Sequence, residues 1–191
     1  MKKILLIFLI LKSIVFNAQS ISEINSRLGI PDTLASKEIR VYKSYQITTG
    51  TELFRFYKVD EKNWSAILYH FRNDLTTFDE TVITPKSNFE YLWLQFYIIN
   101  IKKLPSIREI DYKIQKPRVV FDEKYGYVVE TTTLGVMDGI GYKLYYRNLK
   151  EINTIQFDNY EIYLKQSPDV DELNAYNEII NLIKANFNVW Q

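Results

Sequence analysis

Three consecutive runs, residues 38–46, 52–59 and 64–72, are dominated by aromatic and β-branched residues and interrupted only by short polar breaks. The breaks are Thr48-Thr49-Gly50 and Asp60-Glu61-Lys62-Asn63. Runs of this kind favour extended backbone, and breaks this short leave room only for tight reversals, so the chain must contain antiparallel sheet. Pairing Val59 with Trp64 across the second break sets Leu53 opposite His70 and Arg55 opposite Leu68. In that register Arg55, Tyr57, Trp64 and His70 share a face with Ala66 and Leu68. Phe54, Phe56, Ile67, Tyr69 and Phe71 line the other. Both faces are then apolar, so either both are covered or one lines an aromatic pocket with Arg55 and His70 as its polar groups.

Downstream, residues 91–101 hold nine hydrophobic residues in eleven, and Ser87-Asn88-Phe89-Glu90 before them fits a capping box. A helix apolar nearly all round is usually buried, which predicts a central core helix over about 88–101. A short helix over residues 22–28, stopped by Gly29, precedes the first strand, and residues 81–84 suit a short fourth strand. Residues 107–114 suit a short helix starting near Ser106. Asp138-Gly139 predicts a hairpin with Thr133 opposite Leu144 and Thr131 opposite Tyr146. A second turn near residues 148–151 sets Arg147 opposite Ile152 and Leu144 opposite Ile155. Tyr142, Leu144, Tyr146, Ile155 and Phe157 then share one face. Ser167-Pro168-Asp169 reads as a helix start, followed by a stripe of Leu173, Tyr176, Ile180, Ile183 and Phe187. The expected fold is α+β, with antiparallel sheet packed on the central helix and on a C-terminal helix over about 168–187. An all-β barrel with accessory helices is the alternative.

The N-terminus, MKKILLIFLILKSIVFNAQS, joins Lys2 and Lys3 to an apolar run over residues 4–11 that is too short to span a bilayer. It predicts a signal peptide over residues 1–19, cleaved after Ala18 or Gln19, and a single exported domain over 20–191, periplasmic or secreted. This start, with EIRVYKSYQ, LFRFYK and the closing FNVWQ, resembles small uncharacterised exported proteins of Bacteroidetes-type bacteria. That resemblance implies an exported protein and brings no activity with it.

Composition limits the chemistry. Among 191 residues there is no Cys and one His, so a thiol nucleophile, a disulfide or a Cys/His zinc site cannot be assembled. Removing residues 1–19 takes three of the 24 basic residues and leaves 21 against 23 acidic ones. A near-neutral balance is no footprint for a polyanion, so nucleic acid is not an expected partner despite the basic residues between Lys86 and Arg118. Asp169-x-Asp171 lacks the glycine and glutamate of a calcium loop, with Asn174 and Ile180 in those places. Gly139-Ile140-Gly141 is no dinucleotide fingerprint. No cofactor is implied. The expected function is non-enzymatic binding of a protein or small molecule in the cell envelope, possible through Arg55, Tyr57, Trp64 and His70 and of the kind an inhibitor or immunity protein performs. The alternative is an envelope-acting hydrolase using paired carboxylates from Asp79, Glu80, Asp122, Glu123, Glu130 or Asp138.

Overall fold

The computed structural model describes residues 21–45, 50–72, 77–115, 117–131 and 139–190. Residues 1–19 and Asp138, with the expectations attached to them, lie outside the described residues. The chain divides into two compact units, residues 1–34 and 35–191.

Within the first unit, helix α1 (Ile21–Arg27) ends at Gly29. Gly29 takes φ +65°, a left-handed conformation open to glycine at little cost. Asp32 folds the following segment back, accepting from Ser22 Oγ at 2.7 Å and Asn25 Nδ2 at 2.8 Å.

The second unit is α+β. Strands β1 (Lys37–Tyr45), β2 (Thr51–Lys58), β3 (Trp64–Phe71) and β4 (Phe78–Val82) form an antiparallel meander. Helix α2 (Phe89–Ile98) and a 3-10 turn (Ile101–Lys103) follow. A second 3-10 turn (Ile107–Ile110) runs into the one-turn helix α3 (Asp111–Ile114), with the Ser106/Glu109 capping box in place at its start. Strands β5 (Arg118–Asp122) and β6 (Gly126–Glu130) pair with each other in a sheet of their own. Strands β7 (Ile140–Asn148) and β8 (Glu151–Gln156), then α4 (Tyr160–Gln166) and α5 (Asp171–Phe187), complete the chain. The main sheet runs β4-β3-β2-β1-β7-β8.

Strand β1 is therefore central, with six consecutive buried residues from Glu38 to Lys43. It holds the place beside β7 that the Asp138-Gly139 hairpin would have used. Leu144 pairs with Val41 and Tyr146 with Ile39, while β8 occupies the other side of β7. Both sides of β7 are thereby taken, so Thr131 does not pair with Tyr146, and Thr133 lies outside the described residues. The β7–β8 register itself agrees with the sequence: Arg147 faces Ile152 and Leu144 faces Ile155. Its two-residue loop is Leu149-Lys150, with Leu149 at φ +57°.

One face of the sheet carries the core. Ile39, Val41, Phe54, Phe56, Ala66, Tyr142, Leu144, Tyr146, Ile155 and Phe157 cluster with residues of α2 and α5. Trp93 of α2 stacks on Tyr146 at 5.6 Å between ring centroids, and Tyr176 of α5 stacks on Phe157 at 4.9 Å. Aromatic pairs in this geometry add about 0.5–1.5 kcal/mol each beyond the area they bury. The stripe Leu173, Tyr176, Ile180, Ile183 and Phe187 is buried as its spacing predicts.

Three helix details differ from the sequence reading. The cap of α2 is Asn88, whose side chain accepts from the amides of Glu90 and Tyr91. Ser87 instead donates to Asn186 Oδ1 at 2.6 Å, tying the start of α2 to the end of α5. The C-terminal helical region is broken in two: Ser167 closes α4, and α5 begins only at Asp171. Pro168 has no N–H to extend α4, and Asn174 donates to the carbonyls of Pro168 and Val170 at the turn between the helices. Lastly, α2 is not apolar-buried all round. Leu92, Trp93 and Phe96 point into the core, while Tyr91, Leu94 and Ile98 are exposed.

Candidate functional site

The four candidate residues do not form one site. Strand β3 pairs with β2 one residue away from the expected register, with Lys58 opposite Trp64, Arg55 opposite Ile67 and Glu52 opposite His70. The cause is Asp60. Its Oδ1 accepts from the amides of Lys62 and Asn63, each at 2.9 Å, and its Oδ2 accepts from Asn63 Nδ2. This draws Val59 into the loop, whose N–H donates to the Asn63 carbonyl at 2.8 Å. A loop with one residue more inverts the faces, because side chains alternate along a strand. Arg55 and Tyr57 thus lie on the face away from the helices, and Trp64 and His70 on the face towards them.

On the outer face Arg55 sits directly opposite Arg40, two like charges side by side. Glu38, two residues along β1, reconciles them. Its Oε1 accepts from Arg40 Nε and from Arg55 Nε, each at 2.6 Å, and its Oε2 accepts from the Ala35 amide. Glu38 and Arg40 are buried and Arg55 nearly so. Burial works to lower the Arg40 pKa, but Glu38 overrides it and the guanidinium is held above its ordinary range. Arg55 also stacks on Tyr57, its guanidinium carbon 3.9 Å from the ring centroid. Removing either partner of such a buried pair typically costs 3–5 kcal/mol, since a desolvated charge is left behind. The cluster is a closed ionic knot: the Glu38 carboxylate is fully used by three donors.

On the inner face, at the opposite end of β3 from Trp64, His70 Nδ1 lies 3.1 Å from Glu52 Oε1. Tyr45 donates to Glu52 Oε2 at 3.0 Å, and Lys43 Nζ is 3.5 Å from the same oxygen. Burial pushes the Lys43 pKa down, partly offset by Glu52, and burial with the neighbouring carboxylate raises that of Tyr45. Trp64 is a packing residue, stacked on Phe56 at 5.0 Å and tilted against Trp93.

Three of the candidate carboxylates have structural work. Asp122 accepts from the Lys124 and Tyr125 amides in its turn, Asp79 pairs with Arg72, and Glu130 pairs with Arg118. Among the described residues no group of three or more His, Asp or Glu side chains is placed to hold a metal ion. None of their helices is long and apolar enough to cross a membrane.

The features the sequence did not flag are outside the core. In the β5–β6 hairpin, Val119 pairs with Val129 and Phe121 with Tyr127. These four side chains share one face and are 66–80% exposed. The alternation Val-x-Phe over 119–121 and Tyr-x-Val over 127–129 was the available signal, obscured because these residues neighbour equally apolar ones at Val120 and Val128. Helix α2 offers a second apolar strip, Tyr91, Leu94 and Ile98.

No family model matches the chain, and the curated proteins and solved structures give no significant match either.

Proposed function

We propose that this is an exported interaction protein, which works by presenting apolar surface to a protein partner in the cell envelope or outside the cell. The observation that carries the reading is that a helix and a hairpin each keep a contiguous apolar face outside the core, at Tyr91, Leu94 and Ile98 and at Val119, Phe121, Tyr127 and Val129. Single exposed hydrophobic residues are ordinary on a protein surface, whereas contiguous patches mark interaction sites. The polar clusters favour the same reading: Glu38 is saturated by two arginines and the Ala35 amide, and three of the six candidate carboxylates are tied up in turns and ion pairs. Export rests on the sequence of residues 1–19, and the mature protein acts without a membrane span of its own. An inhibitor or immunity-type protein is the form of function that such surfaces suit.

The test is site-specific photo-crosslinking in the producing cell. A photoreactive residue at Leu94 or Ile98, and separately at Phe121 or Tyr127, should yield discrete protein adducts. The same residue at the exposed Lys62, beside the Asp60 loop, should yield none. Absence of adducts at both apolar surfaces would refute the reading.

A further inference from the structure

The hairpin face itself indicates what covers it. A two-stranded sheet alone is marginal in water and needs further packing against its apolar side, yet among the described residues β5 and β6 pair only with each other. Valines stand at one end of the exposed face, Val119 beside Val129, and rings stand at the other, Phe121 edge-on to Tyr127 at 5.3 Å. Small residues at one end and large at the other make the face complementary to itself when turned end for end. By strand alternation Arg118 and Glu130, paired at 2.6 Å, and Asp122 project from the other side of the hairpin, so the exposed face is apolar from end to end. A face without charge does not select a strongly acidic or basic partner, and its small and large ends suit a two-fold contact in which each end meets its opposite. The four side chains expose roughly 400–500 Å² per copy. Two faces, with Tyr125 of each turn, bury about 1,000 Å², where specific interfaces begin.

We propose that the β5–β6 face binds a second copy of this chain, the two hairpins stacked antiparallel about a two-fold axis. Phe121 and Tyr127 of one copy then lie on Val119 and Val129 of the partner subunit. An interface of this size gives a reversible dimer that dissociates on dilution through the micromolar range. The inference rests on the interaction reading above and names the partner for one of its two surfaces, leaving the α2 strip to another protein.

Sedimentation velocity on the purified protein, over a roughly hundredfold concentration range in the micromolar region, should show the mass rising from one chain to two. The double substitution Phe121→Asp and Tyr127→Asp should weaken the dimer at least about 100-fold. Because that variant alters a marginal hairpin, a second measurement uses the absence of native cysteine. Copies with Val119→Cys mixed with copies with Phe121→Cys, under mild oxidation, should form mixed disulfides in preference to either homodimer. A protein monomeric throughout the range overturns the proposal, as does a dimer untouched by the double substitution with no preference for the mixed disulfide. A monomer that still gives photo-adducts from Leu94 or Ile98 overturns the dimer alone, whereas a monomer without adducts at either surface overturns the interaction reading as well.

Discussion

Strand β1 and the β5–β6 hairpin are written in nearly the same residues, valine and aromatics alternating with charges, and they end in opposite environments. In β1 the charged Glu38, Arg40 and Lys43 are buried with Ile39, Val41 and Tyr42, while in the hairpin Val119, Phe121, Tyr127 and Val129 stand in solvent. Position in the sheet separates them. β1 has a strand on each side and both faces buried, so its charges must satisfy one another, and Glu38 does so for two arginines. Among the described residues no third strand pairs with the hairpin, and these four side chains stay outside the core. The charges inside hold the fold, and the rings outside are the surface we propose for contact.

The comparison can be broken most severely by alkali. Tyr142, Tyr160 and Tyr176 are held above the ordinary tyrosine range by burial and nearby carboxylates, and burial pushes Tyr146 up to about 12. The folded chain keeps protons that the unfolded chain releases above about pH 10, at roughly 1.4 kcal/mol per pH unit for each group. Stability is therefore complete below pH 10 and falls steeply as pH rises towards 12. Urea unfolding across that window should show most of the stability lost, and a flat profile would mean that these tyrosines are not buried as described.

Glu38→Ala should follow, costing about 3–5 kcal/mol in urea unfolding, because Arg40 and Arg55 would face each other without the carboxylate between them. A change under about 1 kcal/mol would place the arginines in solvent and dissolve the contrast. A smaller loss, about 1 kcal/mol, is expected for Asn88→Ala, which removes the cap of α2, with Ser87→Ala not reproducing the cap effect. The smallest belongs to the outer surfaces. Ile98→Ser and Tyr127→Ser should change the unfolding free energy of the dissociated chain by no more than about 0.5 kcal/mol.

Much of this was legible in the residues, and the failures have physical causes. Strong period-two alternation fixed the β7–β8 register, since Tyr142, Leu144 and Tyr146 have one face on which to be buried. The β2–β3 register failed because both faces there are apolar, so hydrophobic pattern could not arbitrate, and a side-chain carboxylate, Asp60, decided the loop length. Pairing of β1 with β7 joins residues about a hundred positions apart and leaves no local trace. Ser167-Pro168-Asp169 has the composition of a helix start but serves as a break between two helices. Of the candidate site, Arg55 and His70 fall on opposite faces, and their partners Glu38 and Glu52 left no signal in the sequence, because pairing across strands decides which charges meet.

The central claim, that the apolar hairpin face is kept for an outside contact rather than for this chain's core, is most directly tested by amide hydrogen exchange at two protein concentrations. The account predicts that amides of residues 118–130 exchange fast in dilute solution and become protected when the protein is concentrated, while those of β1 remain protected throughout. Hairpin amides as protected in dilute solution as in concentrated solution would contradict it.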